Sequence, residues 1–200
     1  MFRKFEDMKT KILGWGYLFL ALTLSACGAK RHTTGPLTAG TNHPIIDAPI
    51  TGNSSTTVSA SLIERYASTL EVNSGVINSN VELYYFIDDW LGSPHRYGGN
   101  LKSGIDCSGF IHILFSNIYS INLPRTSRDM ATQVHRKKER QLREGDLVFF
   151  SFGGRNIDHV GMYLHNGKFV HVSTSKGVII SNLKEQWYHK YFKFGGQIKY

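Results

Sequence analysis

The 200-residue sequence has only two cysteines, Cys27 and Cys107. Two cysteines allow at most one bridge, so a disulfide scaffold is excluded, and a zinc site made of four thiolates is excluded as well. Long basic runs are also lacking, because the longest cluster is Arg136-Lys137-Lys138 with Arg140 after it. Although the formal net charge is +8, so short a run does not predict a nucleic-acid partner.

Long hydrophobic runs and internal repeats are lacking too. The longest apolar stretch, Ile12 to Leu24, spans thirteen residues, whereas a membrane-spanning helix needs about 20. Hydrophobic residues nevertheless make up 41% of the chain and aromatic residues 12%, which excludes full disorder and predicts one folded domain. Composition divides the chain into three regions, which are residues 1–26, a polar stretch over 27–80, and a domain over 81–200.

The first region has the pattern of a secretory signal. Lys4, Lys9 and Lys11 precede the short apolar run, which ends in Leu24-Ser25-Ala26-Cys27. This ending resembles the lipobox of bacterial lipoproteins, which implies cleavage before Cys27, a lipid on its sulfur, and a membrane anchor that does not span the bilayer. A plain signal with an incidental cysteine and a buried helix are the alternatives. Because Gly28 rather than Asp follows the cysteine, we expect the outer membrane of a Gram-negative bacterium, facing the periplasm.

The middle region is rich in Thr, Gly, Ser, Asn and Pro and has few apolar side chains over residues 28 to about 60. We therefore predict a flexible tether over 27–80. Within it, the spacing of Leu62, Ile63, Tyr66 and Leu70 suits a short amphipathic helix.

The third region changes from helical to strand periodicity along its length. Apolar residues at helical spacing predict helices over 81–91 and 107–119, and a further helix from about Ser127 to His135. Short β-type runs follow over 146–152, 159–164, 168–173, 178–180 and 194–200, separated by turns such as Asn166-Gly167. Helices first and an antiparallel meander afterwards indicate an α+β fold.

Cys107 stands at the predicted start of a helix, after Asp106 as a natural N-cap. The helix dipole favours negative charge there, so we expect a lowered thiol pKa and a nucleophilic thiolate. Ser108-Gly109 would allow a substrate carbonyl to approach, and the N–H groups of the first turn would receive an oxyanion. If Cys27 is lipidated, Cys107 has no disulfide partner. The alternative is a buried, inert thiol.

A thiolate catalyst needs a base and a group that orients the base. His159 and His171 lie on neighbouring predicted strands, each on a face defined by alternation, so a hairpin would bring them side by side. A lone strand histidine is more often structural. Two of them together with a helix-start cysteine favour catalysis.

These residues carry a resemblance to the NlpC/P60 cysteine peptidases of bacterial cell walls. The segment Asp106-Cys107-Ser108-Gly109-Phe110 resembles the catalytic-cysteine motif of that family. Five further segments match in the family's order and spacing within residues 82–200: Tyr97-Gly98-Gly99, Leu123-Pro124-Arg125, Gly145 to Phe150, His159 to Tyr163, and Phe169 to Ser173.

The resemblance implies a papain-like α+β fold, with N-terminal helices packed on an antiparallel sheet of about five to six strands. It implies Cys107 as nucleophile, His159 as base and His171 as the polar third member. It also implies a peptidoglycan stem-peptide substrate, cut between D-γ-glutamate and meso-diaminopimelate. No cofactor and no metal are expected, and we expect a monomer.

One departure from the family pattern concerns the oxyanion. Many members have a Tyr whose hydroxyl reaches toward the reacting atoms, where this sequence has His95. A weak or inactive stem-peptide-binding lipoprotein is therefore the alternative function, and a zinc site of Cys107, His159 and His171 is a third. Asp106 is either an N-cap or a contact for a substrate amine, and Arg125 either binds a substrate carboxylate or forms a structural salt bridge.

Overall fold

The structure, a computed structural model, describes residues 54–199. The signal segment, Cys27 and the first part of the predicted tether lie outside the described residues. The helices are α1 (Ser54–Leu70), α2 (Ser74–Asn78), α3 (Val81–Trp90), α4 (Cys107–Tyr119), α5 (Ser127–Met130) and α6 (Gln186–Tyr191), with a 3-10 turn at Glu139–Gln141. The strands are β1 (Asn100–Leu101), β2 (Gly104–Ile105), β3 (Val134–Lys137), β4 (Leu147–Phe150), β5 (His159–Tyr163), β6 (Lys168–Ser173), β7 (Gly177–Asn182) and β8 (Phe192–Ile198).

Six of these strands form one sheet in the order β3-β8-β4-β5-β6-β7, and β1 and β2 form a separate pair. Every neighbouring pair in the sheet is antiparallel. The helices α1 to α4 precede the sheet in the chain, and α4 packs against β5 and β6. The predicted α+β fold and the predicted strand number are confirmed.

The sheet buries both of its faces. Alternate residues of the central strands, such as Val160 and Met162, belong to a core cluster shared with the helices, which also contains Phe110 and Leu114 of α4. The intervening residues face a second, smaller cluster, which contains Val148, Phe150 and Phe169 and packs against Tyr188 of α6. The sheet therefore has one face covered by the helices and a second face lined mainly by aromatic side chains.

Residues 54–80 differ from the predicted tether because they form two helices of the folded domain. The pattern of apolar residues noted in the sequence is the buried stripe of α1, in which Leu62, Tyr66 and Leu70 are buried. The Tyr66 hydroxyl donates to Asp88 of α3 at 3.3 Å. The Asn166 amide, in the turn between β5 and β6, donates to the carbonyl oxygens of Leu70 and Glu71 at 2.9 and 2.8 Å. These contacts join α1 to both halves of the domain.

Two predicted elements need correction in the second half. The helix expected from Ser127 to His135 ends at Met130, and the following residues form β3, which pairs with β8. The reason is long-range, since Val134 is buried opposite Ile198 of β8, and this pairing overrides local helical spacing. The short helix α6 was not predicted.

Within residues 54–199, no helix combines the length and apolar character needed to cross a bilayer.

Candidate active site

A cleft of about 850 Å³ lies where β4 and β6 end and β5 begins. Cys107 and His159 both line it, together with His95 and Arg125. The cysteine comes from the helix on one face of the sheet. The imidazole comes from the first residue of β5, where its ring contacts Phe152 with centroids 5.3 Å apart. The two predicted reacting groups therefore line one cleft, although they come from different elements of the fold.

Cys107 is the first residue of α4, as predicted. The backbone N–H groups of Val160, Ser108 and Cys107 itself are close enough to the sulfur to favour its thiolate form and so to lower its pKa. Burial nevertheless raises the pKa of the thiol to about 11, and the Asp106 carboxylate adds to the rise. The expectation that the helix start lowers this pKa is therefore wrong, because desolvation outweighs the N–H groups.

His159 and His171 are directly hydrogen-bonded, with 2.9 Å between His159 Nε2 and His171 Nδ1. In the β5–β6 register, His171 lies opposite Gly161 and thus diagonal to His159 on the same face. A side chain at Gly161 would collide there, because a Cβ would lie 2.8 Å from the Phe169 ring and 3.1 Å from His171 Cβ. The bond to His171 engages Nε2 of His159, so Nδ1 is the ring nitrogen of His159 that His171 does not engage.

Both imidazoles are held in the neutral form. Burial lowers the pKa of His159 to about 4, with Asp158 acting against the change and His95 adding to it. Burial and the neighbouring His159 lower the pKa of His171 well below its ordinary value. The resting pair is therefore a neutral thiol and a neutral imidazole. The imidazole can accept a proton when the sulfur attacks.

Two hydroxyl groups behind His171 were missed in the sequence. His171 Nε2 lies 3.0 Å from Ser181 Oγ and 3.1 Å from the Tyr188 hydroxyl. Ser181 lies on β7 and Tyr188 on α6, and Ser181 Oγ donates to the Tyr188 hydroxyl at 3.3 Å. No motif in the sequence marks these two residues, because their proximity to His171 depends on how α6 packs on the sheet.

Asp106 and Arg125 form one hydrogen-bonded network at the start of α4, next to Cys107. Arg125 donates to both carboxylate oxygens of Asp106, at 2.7 and 2.8 Å, and to Ser108 Oγ at 2.9 Å. Asp106 also caps α4 by accepting from the N–H of Gly109 at 2.7 Å. Burial opposes ionisation, yet the bonds from Arg125 and Gly109 outweigh it and hold the pKa of Asp106 below its ordinary value. Of the two alternatives for each residue, the structure thus has the N-cap and the salt bridge.

The approach of a substrate through Ser108-Gly109 needs correction. Ser108 is buried, with its hydroxyl bonded to Asp106 and Arg125. A Cβ at Gly109 would lie 2.6 Å from the carbonyl oxygen of Gly99 and 2.9 Å from an Arg125 nitrogen. The missing side chain at Gly109 therefore makes room for the protein's own loop rather than for a substrate.

His95 also lines the cleft. It forms an isolated backbone bridge with Ile105, and its ring is near enough to affect the titration of His159. Tyr97 also lines the cleft but is 94% exposed. His95 and Phe152 are thus two aromatic side chains that line the cleft near His159.

The zinc alternative would need Cys107, His159 and His171 grouped around one metal position. In the described part of the chain, no group of three or more His, Cys, Asp or Glu side chains is arranged to hold a metal ion.

Comparisons with known proteins identify the family of this chain. The sequence model of the NlpC/P60 family matches residues 92–196. The chain is 36% identical over 171 residues to the murein DD-endopeptidase MepS/murein LD-carboxypeptidase of Escherichia coli K12, covering 86% of this chain and 84% of that protein. This chain belongs to the NlpC/P60 family, and the predicted resemblance is confirmed.

Two further relatives match more locally. The probable endopeptidase NlpC of Escherichia coli K12 is 41% identical over 107 residues, which is 53% of this chain and 70% of that protein. The crystal structure of an NlpC/P60 family protein from Bacillus cereus superposes with a TM-score of 0.54 at 28% identity. That match covers 58% of this chain and 39% of the other.

Proposed function

We propose that the protein is a murein endopeptidase that hydrolyses an amide bond in peptidoglycan stem peptides with Cys107 as nucleophile. The observation that carries this proposal is that Cys107 and His159 line the same cleft, while His159 is bonded through Nε2 to His171. Relatives named as murein or probable endopeptidases support the substrate class.

In the first step, Cys107 Sγ attacks the carbonyl carbon of the scissile amide. A carbon–sulfur bond forms, and the thiol proton moves to Nδ1 of His159. Because the resting thiol is neutral and its pKa is raised, proton transfer accompanies the attack rather than preceding it. The neutral His171 accepts the hydrogen bond from His159 Nε2–H and stabilises the imidazolium that forms.

The developing oxyanion needs N–H donors. The N–H of Gly109 is taken by Asp106, and the N–H of Phe110 is taken by the Asp106 carbonyl. The N–H groups of Cys107 and Ser108, which contact the sulfur, are thus the backbone donors next to the reacting carbon. His95 supplies a side-chain donor in place of a tyrosine hydroxyl.

The reaction then proceeds through a thioester. The carbon–nitrogen bond breaks as His159 returns its proton to the leaving amine. Water, deprotonated by the same imidazole, attacks the thioester. The acid product leaves, and the Cys107 thiol is restored.

Two bonds are candidates for the cut. The family resemblance implies the bond between D-γ-glutamate and meso-diaminopimelate. The similarity to MepS, over 86% of the chain, favours a second candidate, because that relative is named a DD-endopeptidase and LD-carboxypeptidase. Mass spectrometry of digested sacculi distinguishes them. The first cut yields fragments that begin at the diamino acid, whereas a DD-endopeptidase converts cross-linked dimers into monomers.

The test of the mechanism compares wild type with Cys107→Ala on purified sacculi. We expect the variant to lose release of soluble fragments while its circular dichroism spectrum stays unchanged. Iodoacetamide should inactivate the wild type and EDTA should not. Hydrolysis by the alanine variant would reject a thiol mechanism, and the opposite inhibitor pattern would indicate a metal enzyme.

We also propose that the chain is anchored by a lipid on Cys27, in the outer membrane facing the periplasm. The support is the Leu24-Ser25-Ala26-Cys27 sequence and the Gly28 that follows it. Membrane fractionation of Cys27→Ser is the test. The variant should move to the soluble fraction, and an unchanged distribution would contradict the anchor.

A further inference from the structure

The ring nitrogen of His171 that does not contact His159 is hydrogen-bonded to hydroxyl groups rather than to a carboxylate or an amide. His171 is only 2% exposed, and its Nε2 has two oxygen neighbours, Ser181 Oγ at 3.0 Å and the Tyr188 hydroxyl at 3.1 Å. The His171 ring is also stacked on Phe169, with centroids 4.8 Å apart. A ring held this firmly has few ways to reorient, so its function depends on which nitrogen bears its proton.

Only one arrangement of protons leaves His159 able to act as a base. If His171 has its proton on Nε2, its bare Nδ1 accepts from His159 Nε2–H, and His159 Nδ1 is free to accept a proton in the cleft. If His171 has its proton on Nδ1, that proton is donated to His159 Nε2. A neutral His159 then has its own proton on Nδ1 and cannot deprotonate a thiol there.

The two hydroxyl groups select the first arrangement. Ser181 Oγ donates its proton to the Tyr188 hydroxyl at 3.3 Å, so its contact with His171 Nε2 must use an oxygen lone pair as acceptor. An oxygen lone pair facing a bare Nε2 at 3.0 Å would be repulsive, whereas an N–H at Nε2 satisfies it. The Tyr188 oxygen lies 3.1 Å from the same nitrogen and offers its N–H a second acceptor. In the competing arrangement the Tyr188 O–H donates to a bare Nε2, but this leaves the lone pair of Ser181 facing that nitrogen without a proton between them.

We propose that Ser181 and Tyr188 are positioning residues which keep the proton of His171 on Nε2, and thereby keep Nδ1 of His159 bare for the thiol. The inference rests on the proposed Cys107–His159 mechanism. It assigns a function to α6, the helix that delivers Tyr188 to the buried side of the histidine pair.

The first readout needs no substrate. Two-bond proton–nitrogen correlation spectra of protein labelled with ¹⁵N-histidine report which ring nitrogen of His171 is protonated. We expect the proton on Nε2 in the wild type and a mixture of both tautomers in the double variant Ser181→Ala/Tyr188→Phe. A merely structural function for the hydroxyl groups would change stability without moving this proton.

The second readout is turnover on a purified stem-peptide fragment. The double variant should lose kcat in proportion to the share of His171 that has its proton on Nδ1, which is about twofold for an even mixture and about tenfold if that tautomer makes up nine-tenths, with little change in KM. Each single variant keeps one acceptor and should lose less, and Ser181→Thr should retain wild-type kcat because it keeps the hydroxyl. Tyr191→Phe is the matched control, since Tyr191 lies on the same helix without a contact to His171.

The outcomes are separable. A double variant in which His171 keeps its proton on Nε2 overturns the inference, whether or not kcat falls. If the double variant does not fold, Ser181→Ala decides it, because without the Ser181 lone pair the Tyr188 O–H can donate to a bare Nε2; an unchanged tautomer spectrum in that variant would reject the inference. If the wild type proves inactive on every stem peptide, the proposed function fails, while the tautomer spectra still test the positioning of the proton.

Discussion

The charge state of Cys107 can be measured by its rate of alkylation. Burial places the pKa of the thiol at about 11, so about one thiol in 10,000 is ionised at pH 7. An ordinary cysteine, with a pKa of about 8.5, is ionised to a few per cent. The thiolate of higher pKa is intrinsically more nucleophilic, which recovers about tenfold of this difference. We therefore expect iodoacetamide to react with Cys107 about tenfold or more slowly than with a free cysteine at pH 7.

The assay uses Cys27→Ser, because Cys107 is then the sole thiol in the protein. Whole-protein mass spectrometry follows alkylation between about pH 6 and pH 10. The logarithm of the rate should rise by about one for each pH unit across this range, as it does for a thiol that titrates near pH 11. His159→Gln should leave the profile almost unchanged, because a neutral imidazole does not stabilise a resting thiolate.

A plateau through neutral pH would refute this reasoning. It would mean that the sulfur and His159 already exist as a thiolate–imidazolium pair, as a strong local field at the helix start would produce. In that case, His159→Gln would abolish the plateau. The N–H groups near the sulfur would then affect the pKa of the thiol more than its burial does.

Four further outcomes test other parts of the structure. Gly177→Ala should lower the free energy of unfolding by at least ~2 kcal/mol in urea titrations, because residue 177 has φ +71° and a Cβ there would lie 2.1 Å from the Ser93 carbonyl oxygen. Asn166→Ala should cost about 1–2 kcal/mol in the same assay, since it removes two bonds to the end of α1. His159 has a pKa of about 6.5 in the unfolded state and of about 4 in the folded state. Between these two values the unfolded state binds more protons, so the free energy of unfolding should fall by up to ~3 kcal/mol as the pH drops through this window. The fall should be smaller in His159→Gln. His95→Tyr should change kcat on stem peptides, and an unchanged rate and product would show that this side chain is idle.

Local sequence patterns predicted the positions of Cys107, His159 and His171 in the secondary structure. Asp106 is the N-cap and Cys107 the first helical residue, because a short acceptor followed by apolar residues at helical spacing is a strong start signal. The alternation around His159 and His171 placed both rings on one face. These features depend on neighbours within a few residues, which is why they are visible in the sequence.

The properties that depend on tertiary packing were not visible. The helix start alone predicts a lowered pKa for Cys107, but the sheet covers the sulfur and reverses the direction. Strand β3 forms only because β8 offers it a partner. Helix α6 is six residues long with no fully buried side chain, so it lacks the apolar stripe that marks a helix, and Tyr188 could not be connected to His171.

The order of strands has a practical consequence for how this domain can be divided. The exposed loop at 153–156 separates a segment that contains the sulfur from a segment that contains both imidazoles, and β4 of the first segment inserts between β8 and β5 of the second. Cutting the chain at this loop would give two incomplete pieces. The first would contain Cys107 but neither His159 nor His171, the second would contain both histidines but not the cysteine, and each would lack neighbouring strands. The rate of hydrolysis after the two pieces are mixed would then measure how much of the domain reassembles, because neither piece alone contains all three groups of the proposed mechanism.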